Sequence, residues 1–183
     1  VVFLSDNGGC AETLPLGSPA EFRAKREIVP AATRDGADLR VGNDPAIDPG
    51  PEDTYASYGV AWANLSNTPF RLYKRWVHEG GIATPFLVHW PGGGLAGGRI
   101  VRTAFQLTDV LPTLLDAAGV DYPRHYRGRD VPPPEGRSML PALRGEPAPE
   151  AALFWEHLGN AAVRRGRWKL VREHRGPCRD QAG

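Results

Sequence analysis

Residues 1–5, Val-Val-Phe-Leu-Ser, form an uninterrupted apolar run that Asp6-Asn7-Gly8-Gly9 breaks at once. A short run of this kind, bounded by turn residues, predicts a strand buried on both faces, as in a parallel sheet. Ligands of open α/β sheets bind beyond the carboxyl ends of the strands. Asp6 and Asn7 would lie at such an end. A carboxylate and an amide carbonyl are hard oxygen ligands, suited to Ca²⁺ or Mg²⁺ rather than to Zn²⁺ or copper. Asp-Asn-Gly is also an ordinary turn sequence, and read locally the turn is favoured.

From Cys10 to about Tyr58 periodicity dissolves into Pro, Gly, Asp and Ala, which predicts a long surface excursion with one short helix near residues 21–26. Order returns at Tyr58. Pro69 suits the first turn of a helix. Phe70, Tyr73, Trp76 and Val77 then recur at three- and four-residue spacing, one helical face, with Gly80-Gly81 as the stop. A strand over Phe86–Trp90 follows. Asp109 reads as the N-cap of a helix over Val110–Ala118 closed by Gly119. Residues 121–138 read as loop, with a short helix near Met139–Leu143. From Ala152 the texture is that of an antiparallel meander with tight turns at Leu158-Gly159 and Arg165-Gly166. Two or three such strands are not independently stable. Together with an N-terminus that opens inside a strand, they make the chain read as part of a longer one, and its last residues as cut or shifted in reading frame.

The 183 residues, 41% of them hydrophobic, suffice for one domain or a domain and a small subdomain. A formal net charge of +1 offers no bulk attraction to nucleic acid, even with Arg-rich stretches at 124–129 and 164–175. No apolar run is long enough for a spanning helix. Cys10 and Cys178 fit no CxxC or zinc spacing.

Lysine is rare, at positions 25, 74 and 169, where arginine is the default cation. A lone lysine on a helix is usually solvated, but Lys74 has Tyr73, Trp76 and the glycines as neighbours. A partly desolvated ammonium there could stabilise an anion or a leaving group. His78 reads as a packed histidine or a substrate contact, and Glu79 as a structural neighbour. His89 reads as a strand residue. His157 and Asn160 stand at a hairpin that could reach a site, although turn and edge-strand roles are simpler.

Taken in order, several segments resemble the sulfatase family. Val2-Phe3-Leu4-Ser5-Asp6-Asn7-Gly8 is similar to its calcium-binding strand and turn. Asn67-Thr68-Pro69-Phe70-Arg71-Leu72-Tyr73-Lys74 through Gly80-Gly81-Ile82 is similar to the segment carrying its active-site lysine. Thr84–Val88 with Trp90-Pro91-Gly92, the helix from Asp109 to Asp116, and Leu153–His157 through Trp168-Lys169-Leu170 match the segments that follow. The resemblance implies an α/β, alkaline-phosphatase-like sheet with flanking helices over 1–145 and the start of an antiparallel C-terminal subdomain over 146–183. It implies hydrolysis of a sulfate monoester, with Asp6 and Asn7 as Ca²⁺ ligands, Lys74 as catalytic contact to the ester, and His157 as a further substrate contact. It also suggests an exported protein, periplasmic or extracellular. The family's formylglycine comes from the Cys of a Cys-x-Pro-x-Arg motif, and neither Cys10-Ala11-Glu12-Thr13 nor Cys178-Arg179-Asp180-Gln181 fits it. The nucleophile and the remaining metal ligands are therefore expected upstream. Alternatives are a phosphate or phosphonate ester hydrolase of the same superfamily and a non-catalytic remnant.

Overall fold

The computed structural model describes residues 1–13, 32–148 and 150–174. The helix expected near residues 21–26, the residues around Cys178 and the end of the tail lie outside them. The chain is mixed α/β with small sheets and divides into two compact units: Val1–Asp6 with Thr84–Gly183, and Asn7–Ala83.

In the first unit, β1 (Val2–Leu4) pairs with β4 (Phe86–Val88). The pairing is antiparallel, Phe3 opposite Leu87, where the sequence predicts a parallel strand. Nor is β1 covered on both faces: Phe3 and Leu87 are each 57% exposed. An apolar run fixes the extended conformation, but strand direction depends on the chain's path, which the run does not encode. Thr84 Oγ1 donates to the Ser5 carbonyl at 2.8 Å and continues the pairing towards Asp6.

The helix expected at 110–118 is present as α3 (Val110–Ala118), closed by Gly119 at φ 64°. Asp109 stands at the N-cap position as expected, but its side chain makes no cap bond to this helix. A 3₁₀ turn over Leu107–Asp109 runs into the helix, so Asp109 is already in the helical region. Its buried carboxylate accepts from the Gln106 N–H and, through the other oxygen, from the Arg137 N–H, both at 2.8 Å. The Asp109 carbonyl accepts from Thr113 Oγ1 at 2.6 Å, and that hydroxyl accepts from the Met139 N–H at 2.8 Å. Three turns are thereby pinned around one acid, and α4 (Leu140–Arg144) starts beside it with Met139 and Leu140 buried. Gly136 is required by close approach, since a Cβ there would fall 2.1 Å from the Thr108 carbonyl oxygen.

The loop expected at 121–138 contains a two-residue hairpin, β5 (His125–Tyr126) with β6 (Arg129–Asp130). Arg127 and Gly128, both at positive φ, form its turn. The meander is present as β7 (Ala152–His157), β8 (Asn160–Arg165) and β9 (Trp168–Arg172), antiparallel in that order. Leu158 and Gly159 at φ 52° and 79° make the first two-residue turn, and Gly166 at 57° opens the second. Positive φ at these positions matches the twist of hairpin strands.

The second unit holds most of the expected excursion. Its described part contains the short parallel pair β2 (Arg40–Val41) and β3 (Thr54–Tyr55). The Arg40 Nε–H donates to Asp53 at 2.8 Å, and this bond holds the Asp53 carboxyl below its ordinary pKa. Two helices follow, α1 (Gly59–Ser66) and α2 (Glu79–Ile82). The single helix expected from Pro69 to Val77 is absent, and residues 67–78 form a loop with turns. Leu72 at φ 67° and Arg75 at φ 91° break any helix there. Of the predicted apolar face only Val77 is buried, and Phe70 is 46% exposed. Gly80 and Gly81 sit inside α2 rather than stopping a helix. Among the described residues no helix is long and apolar enough to cross a membrane.

Replacing Asp109 with Ala orphans two backbone N–H groups, at about 1–3 kcal/mol each. We expect Asp109→Ala to lower the unfolding free energy of the chain by about 2–5 kcal/mol in urea titrations. A loss below about 1 kcal/mol would contradict the hub role.

Candidate active-site elements

Asp6 ends the first unit's strand segment and is exposed; Asn7 opens the second unit and is half-buried. Among the described residues neither side chain has a hydrogen-bond or ion-pair partner. Their oxygens are thus uncommitted, and their chemistry fits a hard cation. Two donors fall short of the six to eight that Ca²⁺ takes. Among the described residues no group of three or more His, Cys, Asp or Glu side chains could hold a metal ion.

The turn after Asn7 is the best-defined part of this region. The Gly8 N–H donates to the Gly81 carbonyl at 3.0 Å. The approach is so close that a Cβ on Gly8 would lie 1.8 Å from the Gly80 carbonyl oxygen. Gly80 is equally confined, with the Leu72 carbonyl oxygen 2.0 Å from where its Cβ would be, and Gly81 meets the Trp76 carbonyl oxygen at 2.0 Å. Glycine is needed here because backbone packs directly on backbone. Gly9 sits against α1, 3.1 Å from the Ala63 Cα by the same measure, and Ala63 is fully buried.

Lys74 is fastened to this turn. Its N–H donates to the Gly9 carbonyl at 3.1 Å. Asn67 braces the same junction: its Oδ1 accepts from the Gly9 N–H and its Nδ2 donates to the Leu72 carbonyl, both at 3.0 Å. The Gly80 N–H reaches the Arg71 carbonyl at 2.9 Å and the Trp76 N–H the Tyr73 carbonyl at 3.1 Å. The positive-φ residues Leu72 and Arg75 flank Lys74 within two positions. Backbone in such regions costs of order 1–3 kcal/mol per residue and persists where surrounding contacts over-determine it. The Thr68–Pro69 peptide is cis.

The Lys74 side chain is exposed, which corrects the expectation of partial desolvation by Tyr73, Trp76 and the glycines. The loop carries the ammonium outward, whereas a helix would have laid it along an apolar stripe. His78 packs edge-on to Trp76, with ring centroids 6.1 Å apart. Glu79 opens α2. In the first unit, His89 follows β4, and its N–H donates to the Val1 carbonyl at 2.8 Å. His157 ends β7 and is exposed. Asn160 is buried at 5% exposure; its amide donates to the His157 carbonyl at 3.2 Å and accepts from the His174 N–H at 3.0 Å, a hairpin-bracing role. Cys10 is a free thiol.

The structure thus brings Asn7 and Lys74 into one backbone-linked turn. Sequence reasoning missed Asn67 as the brace, and it read Gly80-Gly81 as punctuation rather than as contact surface. The available signal was two glycine pairs, 8–9 and 80–81, on either side of one loop.

Comparison with known proteins gives the family. Residues 1–120 match the sulfatase family model, and residues 70–174 match the model described as N-sulphoglucosamine sulphohydrolase, C-terminal. The chain belongs to the sulfatase family. It is 31% identical over 179 residues to an uncharacterized sulfatase of Schizosaccharomyces pombe, covering 93% of this chain and 29% of that protein. It is 35% identical over 91 residues to the arylsulfatase of Klebsiella aerogenes, covering 49% and 19%. It is 38% identical over 103 residues to the steryl-sulfatase of Mus musculus, covering 56% and 15%. The chain thus spans less than a third of the length of each of these relatives.

Gly8→Ala and Gly80→Ala each force backbone apart, and overpacking of this kind costs about 1–3 kcal/mol. Gly97 has open space around its Cβ position and no positive φ. We expect Gly97→Ala to stay within about 0.5 kcal/mol of the parent in the same urea titrations. Equal effects at all three positions would contradict the close-packing account.

Proposed function

We propose that this chain supplies part of the active site of an arylsulfatase-like sulfuric ester hydrolase, on an alkaline-phosphatase-like scaffold over 1–145 with an antiparallel subdomain over 146–183. The observation that carries the reading is the hydrogen bond from Lys74 N–H to the Gly9 carbonyl, two residues beyond Asn7. It ties the backbone of the proposed metal-ligand turn to the backbone of the proposed sulfate contact. Family membership supports it independently.

Asp6 and Asn7 would hold Ca²⁺ through one carboxylate and one amide oxygen, with further ligands from outside this chain. Bound there, the ion would supply Lewis-acid polarisation of a sulfate ester. Lys74, carried outward on a strained loop, would donate to a sulfate oxygen or to the leaving oxygen. Its ammonium is a compact charge with three donors, able to follow charge as it develops in the transition state. The braced backbone fixes the root of the side chain, so less ordering is left for the moment of reaction. His157, exposed at the end of β7, is a further candidate for substrate contact. A formylglycine nucleophile would also come from outside these residues, since Cys-x-Pro-x-Arg does not occur in them. The proposed setting is periplasmic or extracellular.

Two outcomes follow. The 183-residue polypeptide should not hydrolyse an aryl sulfate such as 4-nitrophenyl sulfate, and calorimetry should find Ca²⁺ binding weak or absent; turnover or tight binding would defeat the division of the site. In a longer protein containing both this chain and a Cys-x-Pro-x-Arg segment, Lys74→Ala should lower kcat by about 10²–10³-fold, the loss typical of an oxyanion donor. An unchanged kcat would remove Lys74 from the mechanism.

A further inference from the structure

We propose that Asn67 is a positioning residue for Lys74, its carboxamide acting as the clamp that holds the lysine loop on the Asn7-Gly8-Gly9 turn. The inference deepens the reading of Lys74 as a sulfate contact and rests on it. Its structural basis is independent of that reading.

The clamp has a definite chemistry. A carboxamide both accepts and donates, and Asn67 uses each function once, at 3.0 Å, on two different backbone segments. The accepted N–H belongs to Gly9, whose own carbonyl receives the Lys74 N–H at 3.1 Å. The donated bond goes to Leu72, whose φ of 67° is unfavourable for a branched residue. Leu72 also presents its carbonyl to Gly80 at a distance no Cβ would tolerate. One side chain therefore stabilises the strained residue before Tyr73-Lys74 and the turn on which Lys74 is hung. The Asn67 backbone adds a third tie, its carbonyl accepting from the Phe70 N–H at 2.8 Å.

No other natural side chain of this length both accepts and donates through a planar amide. Asp keeps the acceptor for Gly9 N–H but sets a carboxylate against the Leu72 carbonyl; Ala keeps neither bond. The two variants thus separate the turn-holding bond from the loop-holding bond. Asn67 touches no reacting atom in this account, and its effect on chemistry passes through the placement of Lys74.

The test uses the whole 183-residue chain. Amide hydrogen exchange by NMR reads the clamp directly. In Asn67→Ala, the Gly9 and Lys74 amides should exchange about tenfold to a hundredfold faster, the equivalent of an orphaned backbone group. The amides of Arg40 in β2 and of Gly42 just after it, bonded to the Asp53 and Tyr55 carbonyls, should be unaffected. In Asn67→Asp, protection at Gly9 should return. Unchanged Gly9 and Lys74 exchange in Asn67→Ala would overturn the proposal. So would loss of protection throughout the unit in both variants, which would make Asn67 a general packing residue. If Asn67→Ala alone loses all protection, the Asp variant decides: retained protection at Gly9 supports the clamp, and its loss overturns it.

A second readout tests the sulfate role separately. The chain has three lysines, so ¹³C-dimethylation gives three side-chain signals, with Lys74→Arg assigning the one of interest. Titration with inorganic sulfate should shift the Lys74 signal in the parent, less in Asn67→Ala, and again in Asn67→Asp. An equal response in parent and Asn67→Ala would overturn positioning. Silence of the Lys74 signal in the parent would instead defeat the sulfate reading, leaving the exchange result to stand for the clamp.

Discussion

The second unit depends on one contact: the backbone of Gly8 lying directly on the backbone of Gly80 and Gly81. No side chain fits between them, and the Gly8 N–H to Gly81 carbonyl bond closes the approach. Everything near Lys74 follows from that closeness. The loop 67–78 has to bulge, because its carbonyls at Arg71, Leu72, Tyr73 and Trp76 are pressed onto Gly80 and Gly81. The positive-φ residues Leu72 and Arg75 are the cost of the bulge, and Asn67 offsets part of it by bonding to both sides. Such an arrangement trades helical regularity for a fixed backbone beneath one cation. In the proposed role of Lys74, a backbone fixed in this way would leave less ordering for the moment of reaction.

A comparable hub organises the first unit by different means. Asp109 is buried, and a buried acid must be hydrogen-bonded to be tolerated. It meets that need with two backbone N–H groups and so joins the start of α3 to the segment before α4. Thr113 repeats the device one turn later. Both units thus use polar side chains on backbone groups to fix loops. This suits a chain whose sheets are short and whose strands β1 and β4 leave large apolar residues exposed.

Much of the first unit was legible in the sequence. The helix at 110–118, its glycine stop and the three-stranded meander all stood out from local pattern, because each is stabilised by contacts near in sequence. The 3.6-residue spacing of Phe70, Tyr73, Trp76 and Val77 misled for the opposite reason. Periodicity reports which residues could share a helical face, and it carries no information about a distant glycine turn competing for the same backbone. The direction of β1 was hidden likewise, since its partner β4 lies about eighty residues away. The hairpin at 125–130 was announced only by Arg127-Gly128, a weak signal inside a Pro- and Arg-rich stretch.

The sequence by itself determined the family, through the order of its motifs; Asp6-Asn7, locally a turn, and Lys74, locally a solvated lysine, became site candidates only through that resemblance. It also determined that Cys-x-Pro-x-Arg is not among these residues. Tertiary structure decided how the Lys74 loop is held on the turn after Asn7. It set Lys74 on a loop instead of a helix, turned its ammonium outward, and hung its backbone on Gly9 through a clamp at Asn67. The physical reason is that hydrogen bonds between residues nearly sixty positions apart, and the space that glycine leaves for them, exist only once the chain has folded.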